Sequence, residues 1–177
     1  YTVDVHTLFV IRNLRRLTVN EFADEHPLAS KLMNSLFKPE RLYLGALLHD
    51  IAKGRGGDNS EKGEKISKLF CRQHDLSEYD TNLVAWLVRH HLVISWTAQK
   101  KDISDPAVIE EFAHKVGNQE RLDNIYLLTM ADMRGTSPKV WNEWKSKLLE
   151  QLYHATSSYL RRGESSAEND AERLASG

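Results

Sequence analysis

The sequence predicts an all-α fold, a bundle of amphipathic helices. Apolar residues recur at three- and four-residue spacing along most of the 177 positions, and no run alternates as a half-buried strand would. Proline, glycine and short polar residues punctuate the pattern where helices should start and stop. Hydrophobic residues make up 41% and charged residues 28%, a balance that suits one domain able to bury a core.

The first helix is expected over Val5–Leu17, where Val5, Leu8, Phe9, Leu14 and Leu17 mostly keep helical spacing and Ile11 falls off register. Leu28–Phe37 offers Leu28, Leu32, Met33 and Leu36 on one face. Pro39 sits where a first-turn proline is tolerated and opens Glu40–Ala52, which is apolar on nearly all sides and therefore expected at the centre. Gly54-Arg55-Gly56-Gly57-Asp58 breaks the pattern as a loop. Beyond it, Ser60–His74 reads as a more exposed helix and Glu78–Ile94 as an amphipathic one containing Trp86. Asp105-Pro106 looks like a cap and first turn for Ala107–Val116. Asn118–Arg134 and Pro138–Arg162 complete the set, and residues 163–177 are expected as a polar, frayed tail or linker.

The net charge of −1 supplies no global field for nucleic acid, and no apolar run approaches the roughly 20 residues needed to span a bilayer. Cys71 is the single cysteine, so no internal disulfide can form, which fits a cytoplasmic protein. Tyr1 opens the chain with the amphipathic pattern already running, the expectation for a domain excised from a longer protein.

Chemistry concentrates at a few positions. His49 and Asp50 are adjacent near the end of the apolar Glu40–Ala52 helix, where a buried carboxylate needs compensation and a metal ion is one effective compensator. His6 interrupts an apolar stretch with Val3, Leu8 and Val10. His91 lies four residues after Leu87 and seven after Val84, and Asp132 four after Leu128, so both share inward faces. Taken singly, each is accounted for as a satisfied boundary polar residue, and His49-Asp50 as a helix end facing solvent. Four helices each offering an inward histidine or aspartate is a different matter: imidazole with carboxylate suits divalent Zn, Mn or Fe, and bundle interiors are where such sites are built. His26, His74, His114 and His154 have no companions at ligand spacing and read as surface residues. Trp86, Trp96, Trp141 and Trp144 read as packing residues.

The order His6, His49-Asp50, Asp132 resembles the H…HD…D signature of the HD superfamily of phosphohydrolases. Longer strings are more specific: Leu48-His49-Asp50-Ile51-Ala52-Lys53-Gly54-Arg55-Gly56-Gly57-Asp58, Leu83 to Leu92, Thr97 to Ile103, and Tyr1 to Thr7. Together they are similar to the HD domain of bifunctional uridylyltransferase/uridylyl-removing enzymes, from Tyr1 to about Arg162. The resemblance implies an HD-type helical bundle over residues 1–162 with a metal site between its central helices. It further implies flanking nucleotidyltransferase and ACT domains in the parent chain, and hydrolysis of UMP from the uridylylated nitrogen-regulatory protein PII. His6, His49, Asp50 and Asp132 would be the metal ligands, with His91 the best match for the further histidine of wider sites and His90 as its alternative. The ion would be Mn, Mg, Zn or Fe. One departure stands out: the family shows Asp-His-Ser after the double glycine, where this chain has Asp58-Asn59-Ser60, and an amide replaces imidazole poorly at a transition metal.

On this reading the metal polarises the phosphoryl oxygens and acidifies water. Asp50 orients the attacking water and Asp58, eight positions on, is a candidate acid or base. Lys53 and Arg55 offset charge on the phosphate, and the backbone N–H groups of Gly56 and Gly57 approach it. A helix-end cation explains Lys53 as well, and a plain turn explains the glycines. Two alternatives stay open: an HD phosphohydrolase acting on free nucleotides, and a non-catalytic regulatory module.

Overall fold

The computed structural model describes residues 3–19, 23–53, 59–136 and 143–176. All of its regular structure is helical: α1 (Val3–Arg16), α2 (Pro27–Ser35), α3 (Glu40–Leu48), α4 (Asn59–Gln73), α5 (Glu78–His90), α6 (Val93–Lys100), α7 (Pro106–Val116), α8 (Gln119–Thr136) and α9 (Glu143–Ala175). Among the described residues no helix is long and apolar enough to cross a membrane.

Local chemistry explains most of the boundaries. Ser77 caps α5 by accepting from the Asp80 N–H, and Asp105 caps α7 by accepting from Ala107 N–H, with Pro106 in the first turn as expected. The α7 helix ends at Gly117, whose φ of +90° is open to glycine at little cost and whose N–H returns to Ala113 O.

Helix α8 is the axis of the bundle. It packs against α1, α2, α3, α5, α6 and α9, and Leu122, Ile125, Tyr126, Leu127 and Leu128 are buried on successive faces. Burial was expected of the Glu40–Ala52 segment, and Leu42, Ala46, Leu48 and Ala52 are buried against neighbours that include α1, α5 and α8, whereas Leu47 and Ile51 are exposed. Most of the core is one cluster, with Val10 and Leu14 of α1, Leu42 and Ala46 of α3, Leu87 of α5, Ile94 of α6, Phe112 of α7 and Leu149 of α9. A smaller cluster of Leu48, Cys71, Val84 and Val88 seats α4 on α5.

The α4–α5 contact is close enough to require glycine. A Cβ at Gly63 would stand 2.9 Å from Val88 Cγ1, and Val88 is β-branched and fully buried. Gly63→Ala should therefore lower the urea midpoint: overpacking costs about 1–3 kcal/mol, against a helix-propensity gain of about 1 kcal/mol. A raised midpoint would show that α4 can slide at no cost.

Three expected boundaries differ. Helix α3 stops at Leu48 and continues as a turn closed by Ile51 N–H to Leu48 O and Lys53 N–H to Asp50 O, each spanning three residues. The segment Glu78–Ile94 is two helices, with His91 and Leu92 at the corner. Both keep right-handed helical dihedrals and neither is glycine or proline, so no local breaker marks the bend. Finally, the expected tail from Gly163 onward is helical to Ala175, while residues 161–176 are all exposed. Its Ala, Glu, Arg and Leu content favours helix, and α9 runs about 50 Å at 1.5 Å per residue.

Candidate metal centre

Four pieces of the bundle converge. Helix α1 brings His6, the turn after α3 brings His49 and Asp50, the corner after α5 brings His91, and α8 brings Asp132. One ligand atom each from His6, His49 and Asp132 lies within 4.8 Å of the others. His6 Nε2 is 2.5 Å from Asp132 Oδ1. His49 Nε2 is 3.2 Å from Asp50 Oδ2 and 3.4 Å from Asp132 Oδ1. Asp50 reaches His6 Nε2 at 3.9 Å through Oδ2 and His91 Nε2 at 3.8 Å through Oδ1. The His49 ring stands edge-on to both others, its centroid 5.6 Å from that of His6 and 5.4 Å from that of His91.

The local folding of α3 and α5 aims two of these rings. Each helix ends with carbonyls that lack an intrahelical partner. His49 Nδ1 lies 2.5 Å from Ala46 O and His91 Nδ1 lies 2.8 Å from Val88 O, the same three-residue return in both cases. With Nδ1–H donating to those carbonyls, Nε2 of each ring faces the cluster, the arrangement in which imidazole binds metal best. The α5 corner is tied from the other side, where Thr129 Oγ1 of α8 donates to His91 O at 3.5 Å.

Whether the residues suit an ion is tested by His49. Its side chain is fully buried, and Nε2 makes no hydrogen bond of acceptable geometry although two carboxylates stand beside it. A buried ring nitrogen set between two carboxylates fits the donor set of a bound cation. The electrostatics show that the two carboxylates draw positive charge to this point, a proton on His49 standing where a divalent ion would replace it. Burial pushes the His49 imidazole down, yet Asp132 and Asp50 outweigh it and lift the group to about 10. Burial pushes the Asp132 carboxyl up, and His49 and His6 hold it well below the usual carboxylate range. Asp50 is likewise lowered, burial being overcome by His49. His91 moves the other way, lowered first by burial. The donor set of imidazole and carboxylate suits Mn, Fe or Zn.

The structure decides between the two neighbouring histidines. His91 faces the cluster, while His90 turns away with its ring 5.3 Å from that of Trp86. Lys53 is exposed on the turn after Asp50 and forms no ion pair among the described residues. Arg55, Gly56, Gly57 and Asp58 lie outside the described residues, as does Trp141, and Asn59 is the exposed first residue of α4. Of the other tryptophans expected to pack, Trp86 does, whereas Trp96 and Trp144 are largely exposed. His26, expected at the surface, is half-buried and accepts from Arg134 Nη1 at 2.6 Å. Sequence reasoning had no view of the Ala46, Val88 and Thr129 supports. The shared three-residue spacing from each helix-terminal histidine was the available signal for the first two.

The HD domain family matches residues 3–133. The chain is 63% identical over 161 residues to the bifunctional uridylyltransferase/uridylyl-removing enzyme of Thiobacillus denitrificans, covering 91% of this chain and 19% of that one. It is 56% identical over 174 residues to the enzyme of the same name from Methylococcus capsulatus, covering 98% of this chain and 20% of the relative. The Nitrosococcus oceani enzyme of that name is 56% identical over 163 residues, or 92% of this chain and 18% of its own length. The chain thus spans about a fifth of the length of the curated relatives it matches. On its family match, its all-helical fold and its high identity to these relatives, the chain belongs to the HD domain family.

Proposed function

We propose that this domain is a metal-dependent hydrolase that removes UMP from the uridylylated nitrogen-regulatory protein PII, within a longer cytoplasmic chain carrying nucleotidyltransferase and ACT domains. The observation that carries the reading is the convergence of three imidazoles, His6, His49 and His91, with two carboxylates, Asp50 and Asp132, and with His49 Nε2 buried among them. The names of the relatives supply the substrate class.

His6, His49, His91, Asp50 and Asp132 would hold the ion. When bound, a divalent ion supplies Lewis-acid polarisation of phosphoryl oxygens and lowers the pKa of water from about 15.7 to about 7. Asp50 is the residue we assign to orient the attacking water, because it has one oxygen toward His49 and His6 and the other toward His91. Water forms the new P–O bond, the bond to the tyrosine oxygen breaks, and UMP and free tyrosine result. Asp58 is the candidate donor of a proton to the departing tyrosine oxygen. Lys53 and Arg55 offset charge on the phosphate oxygens, and the N–H groups of Gly56 and Gly57 add donors to them.

The test is UMP release from uridylylated PII by metal-loaded and chelated protein, run beside a deoxynucleoside monophosphate, a cyclic nucleotide and a guanosine polyphosphate. Release from PII that disappears with chelator and returns with Mn is the expected outcome. Faster turnover of a free nucleotide would transfer the reading to a nucleotide hydrolase, and no hydrolysis of any of them would leave a regulatory module.

A further inference from the structure

The corner that presents His91 to the cluster also builds a cavity of about 230 Å³. Ser60 at the start of α4, Arg89, Leu92, Val93 and Trp96 of the α5–α6 corner, and Lys115 in the last turn of α7 line it. Arg89, Leu92, Val93 and Trp96 follow the spacing of a single helical face even though the helix bends between them. The cavity begins one residue from the cluster, since Leu92 follows His91, and consecutive Cα atoms are about 3.8 Å apart.

Its lining is chemically mixed. Leu92 and Trp96 are 57% and 55% exposed, a large apolar surface left open on one corner. Arg89 and Lys115 form no ion pair among the described residues, and Lys101 holds its ammonium 5.4 Å from the Trp96 ring, also without a carboxylate. An apolar floor ringed by unmatched cations is complementary to a segment bearing both carboxylates and an apolar side chain. A nucleoside monophosphate or a cyclic nucleotide fits less well. Its single phosphate would be engaged at the metal cluster, leaving Arg89 and Lys115 unmatched, and for any free nucleotide the space falls below the roughly 300–1,000 Å³ of small-molecule pockets.

We infer that this groove is a docking exosite for the protein substrate, taking an acidic peptide segment near the modified tyrosine with its carboxylates on Arg89 and Lys115 and an apolar side chain against Leu92 and Trp96. The inference rests on the uridylyl-removing reading above. It gives the domain a physical means of preferring a modified protein to a free nucleotide, which the metal cluster alone lacks.

The test compares two substrates in the metal-loaded protein: uridylylated PII, and uridine 5′-(4-nitrophenyl phosphate), which has the same UMP–phenol linkage and no peptide. Reversing both charges, with Arg89→Glu and Lys115→Glu, should raise KM for uridylylated PII by at least about tenfold and weaken its salt dependence, since rim charges act on encounter and register. Both constants for the small ester should stay unchanged. The milder Trp96→Ala should raise KM in the same substrate-selective way, with circular dichroism confirming the helices. An unchanged KM for uridylylated PII, or an equal loss on both substrates, overturns the exosite. Wild-type protein that cleaves the ester but not uridylylated PII overturns the uridylyl-removing reading, and the exosite with it.

Discussion

Asp50→Ala should purify folded, retain less than one ion per chain where the wild type holds at least one, and release UMP at least about a thousandfold more slowly. The rate figure corresponds to about 4 kcal/mol of lost charge stabilisation, the scale of a Lewis acid removed from a phosphoryl centre. The geometry explains why one carboxylate should matter so much. Asp50 stands within 4 Å of His6, His49 and His91 at once, so its loss strips a shared anionic partner from three elements of the bundle. The fold should tolerate the change, because the turn that carries Asp50 is closed by backbone bonds, Ile51 to Leu48 and Lys53 to Asp50, which do not involve the carboxylate. Elemental analysis, circular dichroism and UMP release on the same preparation separate the outcomes. Full metal with no activity would restrict Asp50 to orienting water and leave the ion to the other four residues. Full activity would remove Asp50 from the chemistry altogether.

Much of this centre was legible in the residues. His91 and Asp132 were placed inward by their spacing from Leu87, Val84 and Leu128, and all three of those leucine and valine side chains are fully buried. Periodicity reports which face is buried, so inward polar residues show against it. It reports little about where a helix bends. The α5–α6 corner falls between His91 and Leu92, both in ordinary helical conformations, and Thr129 on α8 holds the corner carbonyl from a position 38 residues away. Nothing local encodes that contact. The axial place of α8 was hidden for the same reason. The Glu40–Ala52 segment and α8 are both rich in apolar residues, and only the packing of six helices around α8 distinguishes them. The exposed α9 extension shows the converse, helix propensity prevailing where no packing exists to oppose or support it.

Arg41→Ala should lower the melting temperature by about 6–12 °C, from a loss of about 3 kcal/mol spread over a chain of this size. The residue carries no chemistry and was invisible as a determinant in the sequence, yet it is 2% exposed at the second position of α3. Its Nη1 pairs with Asp80 Oδ1 at 3.2 Å and Glu120 Oε1 at 2.6 Å, and its Nη2 donates to Phe37 O at 2.9 Å. Asp80 is in the first turn of α5 and Glu120 in the first turn of α8, so one guanidinium ties three helix starts together, each acid also favoured by its helix dipole. Removing it leaves Glu120 without its ion-pair partner, while Lys38, 3.1 Å from Asp80, still holds the other acid, which argues for the lower end of the cost of breaking a buried pair. The pH dependence has a definite sign. Burial pushes the Asp80 carboxyl up, but Lys38 and Arg41 hold it below its ordinary 3.8. A depressed folded value stabilises the protein above the unfolded value, and that contribution is lost as pH falls through 3.8 toward the folded value. The Arg41→Ala protein, with less depression to lose, should therefore show a smaller drop in stability between pH 5 and pH 3 than the wild type. Equal acid sensitivity in the two proteins would show that Lys38 alone sets the Asp80 environment, and that the guanidinium acts through packing and its bond to Phe37 O.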